Sequence, residues 1–423
     1  GAPMTLALRT LGAAPRRRLL AIVEEAESRG ARILDPPLVT DVRRALRRLG
    51  AHALVYLVPR TEHTPPVAVF VPERGKPAIV DLPVVGPAPD RFVEALASTD
   101  IRHRDLAVAA PPAPGLREAL PALTDWAWEV AMSRVLDHCR VSGFARPYRL
   151  VLVPMGQLGI IPWHAARSPA GRFALQDAVI SYAASARLLC DVAGRTRISP
   201  DRGGLIVGDP TGDLVHAGAE AMAIRDRFYP DGHYLGPPGS PSPATPEAVL
   251  SWLASTVADP GGVLHLACHG VVEVGAANSS RLILADGGVL SAERLVESAD
   301  WAPGACQLGL VCLAACSTGV AARGYDEAFS LATAFQVAGA RSVVSSLWRV
   351  PDEATSLLMY LLHHYLVEER VGPAEALRLA QLWMLDPERR EPAGMPSALR
   401  SRLARLDSDD VSAWAGFVHH GQW

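Results

Sequence analysis

The chain has 423 residues, 49% hydrophobic and 20% charged, with a formal net charge of −3 at neutral pH. That balance argues against a dedicated nucleic-acid binder, which concentrates a basic excess, and no run of about 18 uninterrupted apolar residues marks a membrane span. Six cysteines in so long a chain are too sparse for a disulfide framework, so a reducing, cytoplasmic setting without a secretory leader is expected.

Taken in chain order, 5–31 and 36–50 carry helical spacing, the second opened by Thr40-Asp41 and closed by Gly50. The basic stretches Arg16–Arg18 and Arg43–Arg48 read as solvated helix faces. The period then changes. Strands over 52–58, 67–71 and 78–82, separated by Pro- and Gly-rich turns, predict a small meander, and a tryptophan-bearing helix follows over 116–139. This part holds no nucleophile with a matching base, so residues 1–147 are read as a smaller, non-catalytic α/β region. From 148 to 423, strands are expected at 149–153, 205–208, 233–235, 263–268, 308–314 and 341–347. Helices fall at 218–229, 245–257, 291–297, 325–338 and 352–369. Such alternation predicts an α/β domain with a mostly parallel sheet and helices on both faces. Arg281–Leu290 breaks the rhythm with an Asp-Gly-Gly turn between apolar runs, which predicts a hairpin beside the edge where a peptide would lie. Segments 236–246 and 386–398 read as exposed loops.

Two segments concentrate the chemistry. Val-Leu-His-Leu-Ala-Cys-His-Gly at 263–270 and Leu-Gly-Leu-Val-Cys-Leu-Ala-Ala-Cys-Ser-Thr-Gly at 308–319 each run from an apolar strand into a turn of small residues. In an open parallel sheet, reacting groups collect outside the carboxyl ends of the strands, which brings His269 and Cys316 within reach of each other. A thiol with an ordinary pKa of roughly 8.5 is only slightly ionised at neutral pH, so it needs a base, and His269 is the candidate. Gly270 lets the backbone approach a developing oxyanion, for which turn amides are preorganised donors. No third residue stands out as an orienter of the imidazole, so the pair reads as a dyad.

His265 shares a strand face with Ala267, opposite Leu266 and Cys268, and reads as a core or supporting histidine. Cys268 and Cys312 read as buried small apolar residues. His265, Cys268, His269, Cys312 and Cys316 are suitable zinc ligand types, but they lack knuckle-like spacing, so no metal is assigned. Gly208–Asp213 lacks the lysine and the spacing of a phosphate loop and reads as a strand-to-helix turn. Ser317 does not lie in a G-x-S-x-G elbow.

The runs Leu-Val-Leu-Val-Pro (150–154), Ile-Ile-Pro-Trp-His (160–164), His-Leu-Ala-Cys-His-Gly (265–270), Ala-Ala-Cys-Ser-Thr-Gly (314–319), Ala-Gly-Ala-Arg-Ser-Val-Val-Ser-Ser-Leu-Trp (338–348) and Trp-Ala-Gly-Phe-Val (414–418) strongly resemble the CHAT family of caspase- and separase-like cysteine peptidases. The histidine-before-cysteine order fits that group. The resemblance is dense from about residue 148 onward. It implies a caspase-like fold and a cysteine endopeptidase of protein substrates using His269 and Cys316. The Cys316 amide would be the second oxyanion donor beside Gly270, and no cofactor is implied. It also implies a role in bacterial signalling, defence or cell death under an activating or sensor protein; no repeat of TPR length is visible, which points to a separate activator. By the same resemblance, an acidic residue after the Leu-Trp strand recognises a basic substrate residue. Asp352 is the nearest match, although an aspartate there is also the expected helix N-cap. Arg349 in the same turn leaves an acidic or neutral preference open, and Asp286 in the hairpin is a further substrate-binding candidate. The alternative to an enzyme is a non-catalytic regulatory or assembly module of the same fold.

Overall fold

Strands Gly204–Gly208 (β6), Gly261–Ala267 (β8), Leu308–Ala314 (β12) and Ala340–Ser346 (β13) are rich in small and branched residues and buried along almost their whole length, including His265 in β8 and Arg341 and three serines in β13. Burial on both faces calls for helices on both faces, which parallel pairing with crossovers provides. The computed structural model describes residues 36–86, 92, 115–272, 280–297, 306–315 and 330–423. The helix expected over 5–31 lies outside the described residues, as do residues 325–329 of the helix expected over 325–338.

The preceding strands are Ala53–Val58 (β1), Val67–Pro72 (β2), Ala78–Asp81 (β3), Tyr148–Pro154 (β4) and Ala178–Tyr182 (β5). His233–Leu235 (β7) and Phe417–Gly421 (β14) complete an eleven-stranded sheet of order β3-β2-β1-β4-β5-β14-β13-β12-β8-β6-β7. The expected meander is present as antiparallel β1, β2 and β3. It joins the rest through parallel pairing of β1 with β4, so the strands before and after residue 147 share one sheet. From β4 onward the pairing is parallel except between β13 and β14.

Alternate residues of the central strands feed two cores. Ile206, Val263, Leu310, Cys312 and Val344 pack beneath the helices Leu116–Ala127 (α2), Val215–Phe228 (α5), Asp352–Val367 (α9) and Pro373–Leu385 (α10). Leu205, Leu264, Leu266, Val311 and Leu313 face the opposite way, toward the helices Pro246–Ser255 (α6), Ala292–Glu297 (α7) and Leu331–Ala338 (α8). Under the β1–β4 half, that second face is covered by Val39–Leu49 (α1) and Ala186–Gly194 (α4). α1 ends at left-handed Gly50 as expected, but Leu38 occupies its N-cap and Asp41 sits inside the first turn, where it complements the helix dipole. After Val141, where the helix Ser133–Val141 (α3) ends, the chain turns back into β4.

Gly339 makes the tight passage from α8 to β13. Its φ is +134°, and a Cβ there would lie 2.0 Å from the Cys306 carbonyl oxygen, so no other residue fits. β14 holds a buried histidine in the sheet: His419 Nδ1 lies 2.8 Å from Ser181 Oγ, and Nε2 lies 2.8 Å from Ser342 Oγ. Burial pushes its pKa down to about 3, which leaves the ring neutral and satisfied. No helix among the described residues is long and apolar enough to cross a membrane.

The expected hairpin forms between Ser280–Ile283 (β10) and Val289–Ser291 (β11), with Leu282 opposite Leu290. β10 also pairs with His269–Val272 (β9), so the hairpin extends from the chain that leaves β8. The remaining α-helices among the described residues are Ser397–Leu403 (α11) and Val411–Trp414 (α12).

Candidate active site

β6, β8 and β12 end together. Gly208 pairs with Ala267, and Ala267 pairs with Ala314. His269 and Cys316 each stand two residues beyond these last paired positions in the sequence. Cys316 itself lies outside the described residues. Its chain neighbour Ala315 is described, and the Ser346 hydroxyl at the end of β13 donates to the Ala315 carbonyl at 2.6 Å.

The turn after β6 supplies the residue that orients His269. Asp209 adopts a left-handed φ of 48°, and its amide donates to the Ala267 carbonyl at 2.9 Å. Its Oδ1 accepts from the amides of Gly212 and Leu214, both at 2.9 Å, which folds the loop back over the end of β8. Asp213 is thereby carried to His269, whose Nε2–H donates to Asp213 Oδ1 at 2.9 Å. The Thr211 hydroxyl donates to the same oxygen. Burial pulls the Asp213 carboxyl upward, but the hydrogen bonds from Thr211 and His269 outweigh it and leave its pKa below the usual range. An ionised carboxylate on Nε2 fixes the tautomer and leaves Nδ1 as the basic nitrogen. Asp213, which the sequence did not single out, is thus a hydrogen-bond partner of His269.

His269 lines a small cleft together with Cys268, Ala314, Ala315, Arg349, Asp352 and Glu220, among others. The expected substrate-binding residues divide. Arg349 and Asp352 are on its wall. Asp286 is exposed at the hairpin turn with a φ of 57° and does not line the cleft. Asp352 is also not the helix cap: Pro351 occupies that position, no side chain caps the helix, and Asp352 is its first residue. Gly270 lies in β9 opposite Leu282.

None of the five described cysteines is in a disulfide. Burial pushes the thiols of Cys139 and Cys306 up to about 12 and raises Cys312 as well, which suits inert core residues rather than nucleophiles.

A family model described as the CHAT domain matches residues 117–422. The chain belongs to the CHAT domain family. In three dimensions this CHAT protein is similar to two structures of the separase–securin complex of Saccharomyces cerevisiae. Their TM-scores are 0.55 and 0.57, and each is 9% identical over 90% of this chain. The match covers 31% and 30% of those chains, so this chain spans about a third of their length. The Arg-specific cysteine proteinase gingipain R also aligns, at a TM-score of 0.41 and 11% identity, over 76% of this chain and 69% of that one. No curated protein matches in sequence. The separase likeness agrees with the expected caspase-like α/β fold of this CHAT domain.

Proposed function

We propose that this chain is a cysteine endopeptidase in which His269, oriented by Asp213, is the base for the Cys316 thiol. The observation that carries the reading is the Asp213–His269 hydrogen bond at the mouth of a cleft whose wall includes Ala315, the residue joined to Cys316. In the proposed reaction His269 Nδ1 takes the thiol proton and the thiolate attacks the scissile carbonyl. The amides of Gly270 and Cys316 receive the oxyanion, and the imidazolium returns its proton to the leaving amine. Water then hydrolyses the acyl-enzyme with His269 again as base. No cofactor enters.

The substrate is a protein, and we place the activity in a bacterial signalling, defence or cell-death pathway under a separate activating or sensor protein. The two separase structures hold that protease in complex with securin, which supports the idea of protein-level control. A role at a membrane or on nucleic acid is not proposed.

The decisive comparison is cleavage of a diverse peptide library under reducing conditions by the wild-type chain and by Cys316→Ala. Cleavage by the wild type alone is expected. Equal cleavage by both would remove Cys316 from the mechanism, and silence from both, with the activator present, would favour the non-catalytic module.

Asp352 is proposed to receive a basic substrate side chain, since the N-cap position belongs to Pro351 and Asp352 lines the cleft. Asp352→Asn preserves shape while removing charge. It is expected to lower kcat/KM selectively for substrates with Arg or Lys before the scissile bond, by about 10-fold or more, the scale of one lost charged hydrogen bond. Unchanged selectivity in the same library would confine Asp352 to its place at the helix start.

A further inference from the structure

Behind the cleft, the parallel register sets His265 of β8 directly beside Cys312 of β12, with both side chains on the face covered by α9. α9 contributes His363. All three residues are fully buried, and one potential ligand atom from each lies within 4.8 Å of the others. His363 Nε2 and His265 Nδ1 face each other at 3.2 Å.

We propose that His265, Cys312 and His363 form a binding site for a zinc-class divalent ion. The separation of the two nitrogens is close to the edge of a tetrahedron around zinc with bonds of about 2.0 Å, which is about 3.3 Å. The outer nitrogens are already held as such a site requires. His265 Nε2 lies 3.0 Å from Glu220 Oε1, and His363 Nδ1 lies 2.9 Å from the Tyr229 hydroxyl. With metal on the inner nitrogens, His265 donates to the Glu220 carboxylate and His363 donates to the phenol oxygen. Neither outer partner has to move.

Charge closes in the same way. A divalent cation is balanced by the Cys312 thiolate and the Glu220 carboxylate, so the loaded cluster is neutral in a dry core, which is the condition for burying charge at tolerable cost. Binding releases the thiol proton. One thiolate with two imidazoles selects zinc or cobalt over magnesium, calcium or manganese. Three protein donors leave one coordination position for a fourth ligand. The ion would tie β8 and β12, the strands leading to His269 and Cys316, to α9, which begins at Asp352.

The test uses the full chain carrying His269→Ala and Cys316→Ala, so that the other histidine–cysteine pair cannot hold metal and the outcome is independent of the peptidase reading. Expressed with added zinc or cobalt, it is expected to retain about one ion per chain. X-ray absorption should give a first shell of one sulfur and two nitrogens, and the cobalt form should show a thiolate charge-transfer band that Cys312→Ser abolishes. Tyr229→Phe is expected to weaken affinity by about 10- to 100-fold, as loss of an outer-shell hydrogen bond does. A folded chain that takes up no ion, or a shell of oxygen and nitrogen without sulfur, would overturn the site. The first result would leave a metal-free hydrogen-bonded chain from Glu220 to Tyr229. The absorption measurement needs no substitution at the cluster, so a misfolded Cys312 variant cannot obscure it.

Discussion

Replacing His269 with alanine is expected to slow peptide cleavage by about a hundred- to ten-thousand-fold, the range that a positioned general base contributes. The variant should remain folded, because the histidine sits past the last rung of the central ladder and is partly exposed, 24% for its side chain. In the proposed mechanism Asp213 acts through the imidazole it holds, as a positioning residue. Asp213→Asn should give a smaller loss, falling on kcat with KM retained, whereas a cleft that had merely collapsed would raise KM. Steady-state kinetics on one good library substrate separate these cases. A His269→Ala enzyme as fast as the wild type would end the assignment.

The second large effect concerns stability. Trp348 is 1% exposed, its Nε1–H donates to the Ser412 carbonyl at 3.1 Å, and Leu347 donates its amide to the Gly416 carbonyl at 2.7 Å. Gly416 is required there, since a Cβ would meet Val350 Cγ2 at 2.3 Å and the indole nitrogen at 3.0 Å. The indole therefore clamps the segment that carries Arg349 against the turn before β14. Trp348→Ala is expected to cost about 3–5 kcal/mol, the transfer and cavity cost of a buried aromatic. Urea unfolding would show it as a lower midpoint at unchanged slope. A loss below about 1 kcal/mol would mean that the turn repacks without the ring.

The strands that bear the site were legible because their composition leaves no other option: Val-Leu-His-Leu-Ala and Leu-Gly-Leu-Val-Cys-Leu-Ala are apolar runs ended by turns of small residues. β5 was not anticipated, being short and followed by Ala-Ala-Ser without a strong turn residue. β14 was hidden by His419 and His420, which look polar in sequence, yet His419 is buried and held by Ser181 and Ser342 and His420 is half-buried. Asp213 stands 56 residues before His269, and the link between them depends on β6 lying next to β8. Periodicity identifies strands but does not order them. The same holds for His363, 98 residues from His265, whose place is fixed only by how α9 packs. The capping expectation for Asp352 failed because Pro351 takes the N-cap position, so the helix starts one residue earlier than a cap at Asp352 would place it.

Ala267 and Ala314, paired across β8 and β12, are the last residues in which the sheet has a structural stake, and His269 and the sequence position of Cys316 come two residues later. Scaffold and chemistry are therefore nearly separable along the chain. Inheritance can act on one without disturbing the other: a single substitution past a strand end can silence a copy, which then persists as a well-formed binding partner, and a reversion can restore it. If the proposed peptidase reading holds, a lineage built on this plan can exchange cutting for holding, and holding for cutting, without having to evolve a new core.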